Sequence, residues 1–195
     1  MDRKIAGAAL SLGRRYLFDE PHATHVARLA LSLFDQLREL HKQGEKERRM
    51  LHVAALLHDI GMFISEEKHH KHSYYLIANA MLPGFTLRQL AVVANIARYH
   101  RKSEPSEAHE AFRALDKDDR HRVMMLAGIL RIADALDREH RQNVASVKVT
   151  IEDDAVVLLC AGKGELLLER WAIKKKAGLF SRYFSCNVRV RNVGE

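Results

Sequence analysis

The stretch that most constrains the fold is 51–62, where an apolar run ends at the adjacent pair His58 and Asp59. Apolar residues recur there at helical spacing, so His58 is expected on the inward face of a helix. Gly61 is placed to end that helix in the left-handed conformation that glycine adopts at little cost. A buried imidazole and carboxylate need partners, and a divalent metal accepts one nitrogen and one oxygen from such a corner. The alternative is an ordinary core histidine beside a helix-ending aspartate.

The totals indicate a globular protein of one domain, or of one domain with a small appendix. The chain has 195 residues, of which 47% are hydrophobic and 29% charged. No apolar run is long enough for a membrane span, and no signal-peptide pattern is present, so we expect a cytoplasmic protein without a membrane partner. Cys160 and Cys186 lie in apolar surroundings and are interpreted as reduced core residues. The net charge of +7 suits an anionic partner.

The spacing of apolar residues predicts a mostly α-helical chain that ends in a small sheet. Helices are expected over residues 2–17, 19–42, 46–60, 72–81, 86–100, 108–115 and 118–140. Near residue 144 the period changes from 3.6 to 2, which indicates strands at 147–151 and 155–160, a helix at 165–183 and a last strand at 188–193. Asp153 and Asp154 form the turn between the first two strands. The expected division is a helical metal-binding domain over 1–143 and an α/β (β-β-α-β) subdomain over 144–195.

Four potential metal ligands lie on the inward stripes of three predicted helices. They are His25, His58, Asp59 and Asp134. A helix bundle brings such side chains together in its core, where metal sites are commonly built. The alternative for Asp134 is an ion pair with Arg131 or Arg138.

Two further histidines at helix ends, His72 and His100, are candidates for a second metal ion. Asp59 would bridge the two ions, an arrangement that suits in-line attack on phosphorus. His69 or His70 can replace His72, and His100 can instead cap its helix. The predicted cofactor is therefore one or two divalent ions, with Mn, Fe, Mg, Zn and Ni not distinguished. His58 and Asp59 are the predicted catalytic residues.

Several basic residues near these histidines are candidates for binding substrate phosphate. They are Lys71, Arg98, Arg101, Lys102, Arg138 and Arg141. Arginine suits planar bidentate contacts with phosphate, and lysine supplies a point charge. The alternative for each is a solvated basic surface.

The ordered set of one His, a His-Asp pair and a later Asp resembles the HD superfamily of metal-dependent phosphohydrolases. Segments 69–77, 94–102, 130–138 and 169–172 resemble the C-terminal region of exopolyphosphatase/guanosine pentaphosphate phosphohydrolase proteins. That resemblance implies an HD-type helical bundle closed by a small α/β subdomain. The actin-like ATPase half of that family has no counterpart in this sequence, so the resemblance does not transfer exopolyphosphatase activity. Met62 replaces the lysine of related cyclic-dinucleotide phosphodiesterases, which disfavours that activity.

The predicted function is hydrolysis of a phosphoester or phosphoanhydride, with a metal that acidifies water. The substrate would be a phosphorylated small molecule or polyphosphate, from the nucleotide, alarmone or polyphosphate classes. The alternative is a non-catalytic module that binds polyphosphate or a guanosine polyphosphate and works with a separately encoded ATPase-fold partner. A nucleic-acid partner is not favoured, because aromatic and basic residues do not alternate as in single-strand binders. The sequence is also compatible with a homodimer.

Overall fold

A computed structural model describes residues 3–152 and 154–193. The predicted helix start at residue 2 and Asp153 of the predicted turn lie outside the described residues. The helices are α1 Arg3–Arg15, α2 Glu20–Gln36, α3 Arg38–His41, α4 Glu45–Leu57, α5 His69–Ala78, α6 Leu87–Arg98, α7 Glu110–Arg113, α8 Lys117–Ala135, α9 Leu167–Lys176 and α10 Gly178–Phe184. The strands are β1 Val144–Glu152, β2 Ala155–Gly162 and β3 Asn187–Asn192. The chain is thus mostly helical with a small C-terminal sheet, as the sequence predicts.

Side-chain caps fix where two of these helices begin. The Asp19 carboxylate accepts a hydrogen bond from the backbone N–H of His22 at 3.1 Å, and so caps α2. Thr86 and Gln89 form a capping box at the start of α6, in which each side chain bonds the backbone N–H of the other residue. Because a cap fixes which residue begins a helix, it also fixes which side chains the first turn presents.

Several predicted helix boundaries are wrong. The helix predicted over 19–42 breaks after Gln36 into α2 and the short α3, and the one predicted over 165–183 divides at Ala177. α5 begins at His69 instead of residue 72, and α8 ends at Ala135 instead of residue 140. These shifts matter for function because the ends of α5 and α8 carry candidate site residues.

Gly61 does not end its helix in the left-handed conformation, and that interpretation is wrong. α4 ends at Leu57, and Gly61 lies in the 3-10 helix Ile60–Phe63 that follows. Among described glycines only Gly84 and Gly164 have a positive φ. Gly61 is required for another reason: a Cβ built there would lie 2.2 Å from the carbonyl oxygen of His69. The 3-10 helix and α5 therefore approach each other more closely than a larger residue allows.

The bundle centres on α4, which packs against α1, α2, α6 and α8. Its inward side chains are fully buried, as are the facing residues of α6 and α8. Burial of about 25 cal/mol per Å² of apolar surface is the main stabilising contribution in such a core. This packing carries the C-terminal end of α4 into the interior, where His58 is 0% exposed.

The three strands form one sheet in the order β1-β2-β3, with β1 antiparallel and β3 parallel to β2. α9 and α10 make the crossover between the parallel strands, as such a connection requires. The sheet docks on the bundle through α2, where the Gln36 amide donates to the carbonyl of Val147 at 3.0 Å and accepts from the N–H of Val149 at 2.8 Å. Within the described part of the chain, no helix is both long and apolar enough to cross a membrane.

Candidate metal centre

Buried imidazoles converge on the C-terminal end of α4, each with one ring nitrogen already committed. The Nδ1 atoms of His58 and His100 lie 2.7 Å from the carbonyl oxygens of Ala55 and Ala97. His22 Nδ1 lies 2.8 Å from a carboxylate oxygen of Asp137. Because these oxygens only accept, each Nδ1 carries a proton, and in the neutral ring the lone pair then lies on Nε2. Metal-ligating histidines show this arrangement, in which the second nitrogen is held by an oxygen.

One group of candidate ligands brings together His22, His58 and Asp134, and the Asp59 carboxylate lies beside it. Asp134 Oδ1 lies 3.8 Å from His22 Nε2 and 3.9 Å from His58 Nε2. Asp59 Oδ2 lies 4.0 Å and 3.5 Å from the same two nitrogens. The Nε2 atoms of His22 and His58 are buried without a hydrogen-bond partner. Two orphaned buried acceptors beside two carboxylates fit a cation between them.

A second group lies on the other side of Asp59. Asp59 Oδ1 is 3.1 Å from His69 Nε2 and 3.3 Å from His100 Nε2. The two Nε2 atoms are 3.4 Å apart. The two oxygens of Asp59 thus face different groups, the geometry that a carboxylate bridging two ions needs.

Burial and neighbouring charges shift the pKa values of His100, Asp59 and Asp134 in the directions that favour metal binding. Burial lowers the pKa of His100 to about 3, so its ring is neutral near pH 7. Burial alone would raise the pKa of Asp59, but its charge interaction with His58 and its hydrogen bond with His69 hold it well below its usual range. Burial also opposes ionisation of Asp134, and the Lys176 ammonium that pairs with it lowers its pKa instead. Both carboxylates are therefore ionised.

His25 lies outside both groups. His22, one turn earlier in α2, occupies the place that the sequence analysis gave to His25. His22 continues the core stripe of α2 one turn before Val26, whereas His25 lies on the helix edge that faces β1. There the Arg28 guanidinium donates to His25 Nδ1 at 2.9 Å and also bonds the carbonyl of Ala145. Extending the stripe back to the N-cap adds His22 as a candidate beside His25, and periodicity alone does not choose between the two.

His72 also lies outside both groups, and His69 takes the position expected for it. Since α5 begins at His69, this residue is in the first turn and its ring reaches Asp59. His72 lies one turn further along, half-buried, with its Cβ beside Gly61. The start of α5 therefore decides between the two histidines.

His140, which the sequence analysis did not propose, also lies at the site. Its ring stacks on His22 with the centroids 3.5 Å apart, and its Nδ1 lies 2.8 Å from a carboxylate oxygen of Asp19. His22, Asp59 and His140 form a third group of potential ligands in the described chain. α8 ends at Ala135 and His140 has a φ of 57°, so the chain turns the ring back over the site. The predicted helix to residue 140 concealed this turn.

A cavity of about 390 Å³ opens from Asp59 and Asp134 to the surface. Three of the predicted phosphate-binding residues line it: Arg101, Lys102 and Arg138. α9 adds further lining residues that the sequence analysis did not propose: Trp171, Lys175 and Lys176. These were missed because only the packing of α9 against α8 brings the C-terminal part of the chain to the site.

The other three predicted phosphate-binding residues do not line this cavity. Lys71 lines a neighbouring surface pocket together with Arg101 and Lys102. The Arg98 guanidinium lies 5.6 Å from the ring centres of both Tyr74 and Tyr99. Arg141 is exposed beyond the end of α8. Asp134 pairs with Lys176 instead of Arg131 or Arg138, the partners considered in the sequence analysis.

Comparison with known proteins finds a matching family model and several similar proteins. The model of "Ppx/GppA phosphatase, domain III" matches residues 6–169. The chain is 33% identical over 153 residues to a guanosine-5'-triphosphate,3'-diphosphate pyrophosphatase of Aeromonas hydrophila, which covers 76% of this chain and 30% of that protein. A protein of the same name from Photobacterium profundum is 30% identical over 175 residues, covering 85% of this chain and 34% of that protein. The chain thus spans about a third of the length of these relatives.

Proposed function

The chain belongs to the Ppx/GppA phosphatase family, and on this premise we propose that it is a metal-dependent phosphohydrolase of the HD type. Its substrate would be a phosphoester or phosphoanhydride of the nucleotide or polyphosphate class. The observation that carries the proposal is the set of buried imidazoles whose Nδ1 atoms are held by oxygens and whose Nε2 atoms face two ionised carboxylates. Without a cation, the partnerless buried Nε2 atoms of His22 and His58 would cost free energy for no gain in packing.

The residues present fit one or two divalent ions. His22, His58 and Asp134 would hold one ion, His69 and His100 the other, and Asp59 would contribute an oxygen to each. When bound, such ions lower the pKa of water to near neutrality and neutralise developing charge on a phosphoryl group. Asp137, Ala55 and Ala97 keep the ligating rings in the correct tautomer and orientation, because their oxygens hold the Nδ1 protons.

The remaining side chains of the cavity would bind and orient the phosphate. Arg101 lies at the second ligand group, with its Nη1 within 3.2 Å of both ring nitrogens of His69. Arg138, Lys102 and Lys175 add positive charge around the opening. Guanidinium groups bind phosphate oxygens through paired hydrogen bonds and hold the phosphorus in one orientation. Fixing the reacting group against the catalytic centre removes part of the entropic barrier.

The first test compares two histidines of α2 by metal content. His22→Ala and Asp59→Ala should lose most of the bound metal, measured by elemental analysis of the purified proteins. His25→Ala is the matched control, three residues away on the same helix, and should retain it. Full metal occupancy in both His22→Ala and Asp59→Ala would contradict the assignment.

Activity is tested by screening the wild-type protein against nucleotides, cyclic nucleotides, alarmones and polyphosphate with added Mn²⁺, Mg²⁺, Fe²⁺, Zn²⁺ or Ni²⁺. Turnover that disappears in Asp59→Ala supports the hydrolase. Metal and polyphosphate binding without turnover of any class would instead support a binding module.

A further inference from the structure

The lining of the cavity at Asp59 and Asp134 includes one large apolar ring, the indole of Trp171. Trp171 is 55% exposed, and it stands with Met62 and Ala172 as the apolar part of a lining that is otherwise made of titratable residues. It is the single tryptophan of the sequence. A large indole surface exposed at the wall of a polar cavity is a typical site for a planar apolar group of a ligand.

The packing of α9 fixes the position of the helix that carries this indole. Ala172 and Ile173, the next two residues, are buried at 2% and 3% exposure and dock the helix. Arg131 ties the end of α9 to the bundle, because its Nε donates to the carbonyl of Lys176 at 3.1 Å. The ring therefore projects from a docked helix rather than from a loop, so little ordering is needed when a ligand binds.

Positive charge lies one helical turn from the ring. The Lys175 ammonium is 5.9 Å from the centre of the Trp171 ring, and Lys176 pairs with Asp134 at the candidate metal centre. From Trp171 through Lys175 to Lys176, α9 thus leads from an aromatic surface, past an ammonium, to the partner of the Asp134 carboxylate. A ligand that follows this order has a planar ring at one end and an anionic chain at the other.

We propose that Trp171 is a specificity-determining residue that stacks on the aromatic ring of the substrate, so that the site selects a nucleoside polyphosphate over inorganic polyphosphate. The inference rests on the proposed function for the location of the reacting phosphate. The phosphates extend from the ring past Lys175 toward Asp59, and Arg101 and Arg138, which line the same cavity, bind them. The volume of about 390 Å³ is within the range of small-molecule sites.

The test uses the intrinsic fluorescence of Trp171 and two probes with the same number of phosphates. A non-hydrolysable GTP analogue should quench the fluorescence, while inorganic tripolyphosphate should leave it nearly unchanged. By calorimetry, the analogue should bind about tenfold more tightly than tripolyphosphate, the preference expected from one base–aromatic stack.

Variants of α9 separate stacking from a general loss of structure. Trp171→Leu should remove the preference and leave tripolyphosphate affinity unchanged, and Trp171→Phe should keep most of it. Leu168→Ala is the matched control, because Leu168 is 48% exposed on the same helix and outside the cavity lining. Equal affinities for the two probes in the wild type, no binding of the analogue, or equal weakening of both probes in Trp171→Leu would overturn the proposal. These readouts concern binding alone, so they are independent of the metal and turnover tests that decide the proposed function.

Discussion

Gly61 shows how one residue without a side chain sets the distance between two parts of the site. A Cβ built on it would lie 2.2 Å from the carbonyl oxygen of His69 and 2.4 Å from the backbone nitrogen of Ser73. Its own N–H donates to the Ser73 hydroxyl at 2.9 Å. Both clashes are with backbone, which cannot move aside cheaply. This contact positions the first turn of α5, and therefore His69, against Asp59.

We expect Gly61→Ala to destabilise the protein by about 3 kcal/mol, since overpacking against backbone is costly. Urea denaturation measures the change in the free energy of unfolding. Metal affinity should also fall, because α5 must move away from Asp59. Gly7→Ala is the control: nothing lies within 4 Å of the added Cβ, and alanine favours the interior of α1. If the Gly61→Ala protein were as stable as the wild type, α5 would be able to move away from residue 61 without a loss in the free energy of unfolding.

At the scale of elements, α8 connects the bundle to α9 through the buried Arg131. Its guanidinium donates to the carbonyl oxygens of Tyr99 at 3.0 Å, Lys102 at 3.2 Å and Lys176 at 3.1 Å. Burial lowers the pKa of Arg131 from its usual value. This one side chain therefore holds two segments that line the cavity: residues 99–102 and α9, the helix that carries Trp171.

Arg131→Ala should lower the free energy of unfolding by about 3–5 kcal/mol, because buried carbonyl groups lose charge-assisted hydrogen bonds. Arg131→Lys should recover only part of the loss, since an ammonium lacks the planar fork that reaches three oxygens. As a control, Arg48→Ala removes a surface pair with Asp35 and should change stability by about 1 kcal/mol or less. If Arg131→Ala and Arg48→Ala proved equally mild, the proposed role of Arg131 would be wrong.

At the scale of the whole molecule, the bundle and the C-terminal sheet share one hydrophobic core. The same cluster of buried residues contains Ile5 of α1, Val144 of β1 and Phe180 of α10. Gly128 of α8 lies close to Phe180, where an added Cβ would be 3.2 Å from its Cα. The hydrophobic core is therefore continuous across residue 144, where the chain changes from helices to strands.

We expect the full chain to unfold in a single cooperative transition, followed by circular dichroism and tryptophan fluorescence together. Truncation after Asn143 should give an unstable or aggregating protein, because it exposes the faces of α2 and α8 that the sheet and α10 cover. Two separated transitions, or a stable truncated protein that keeps its metal, would show that 1–143 folds alone. That outcome would support the division made from sequence.

The sequence was sufficient to place a candidate site residue where that residue lies on a long, regular apolar stripe. His58, Asp134 and His100 follow the helical period of α4, α8 and α6, and these residues converge in the structure. It was also sufficient for the mostly helical fold with a small sheet, because the change of period from 3.6 to 2 is a local property of the chain. The proposed ligand roles of these residues remain predictions.

Only the tertiary structure decided which of two histidines within one turn of α2 reaches the site. It also decided which segments, far apart in sequence, line the cavity together. His22 and His25 are both inward by periodicity, and the docking of β1 on α2 turns one to the site and the other to the sheet. Trp171, Lys175 and Lys176 reach the cavity because α9 packs on α8, which no local pattern encodes. Local periodicity determines which face of a helix is buried, but the partner that buries each part of that face is set by long-range packing.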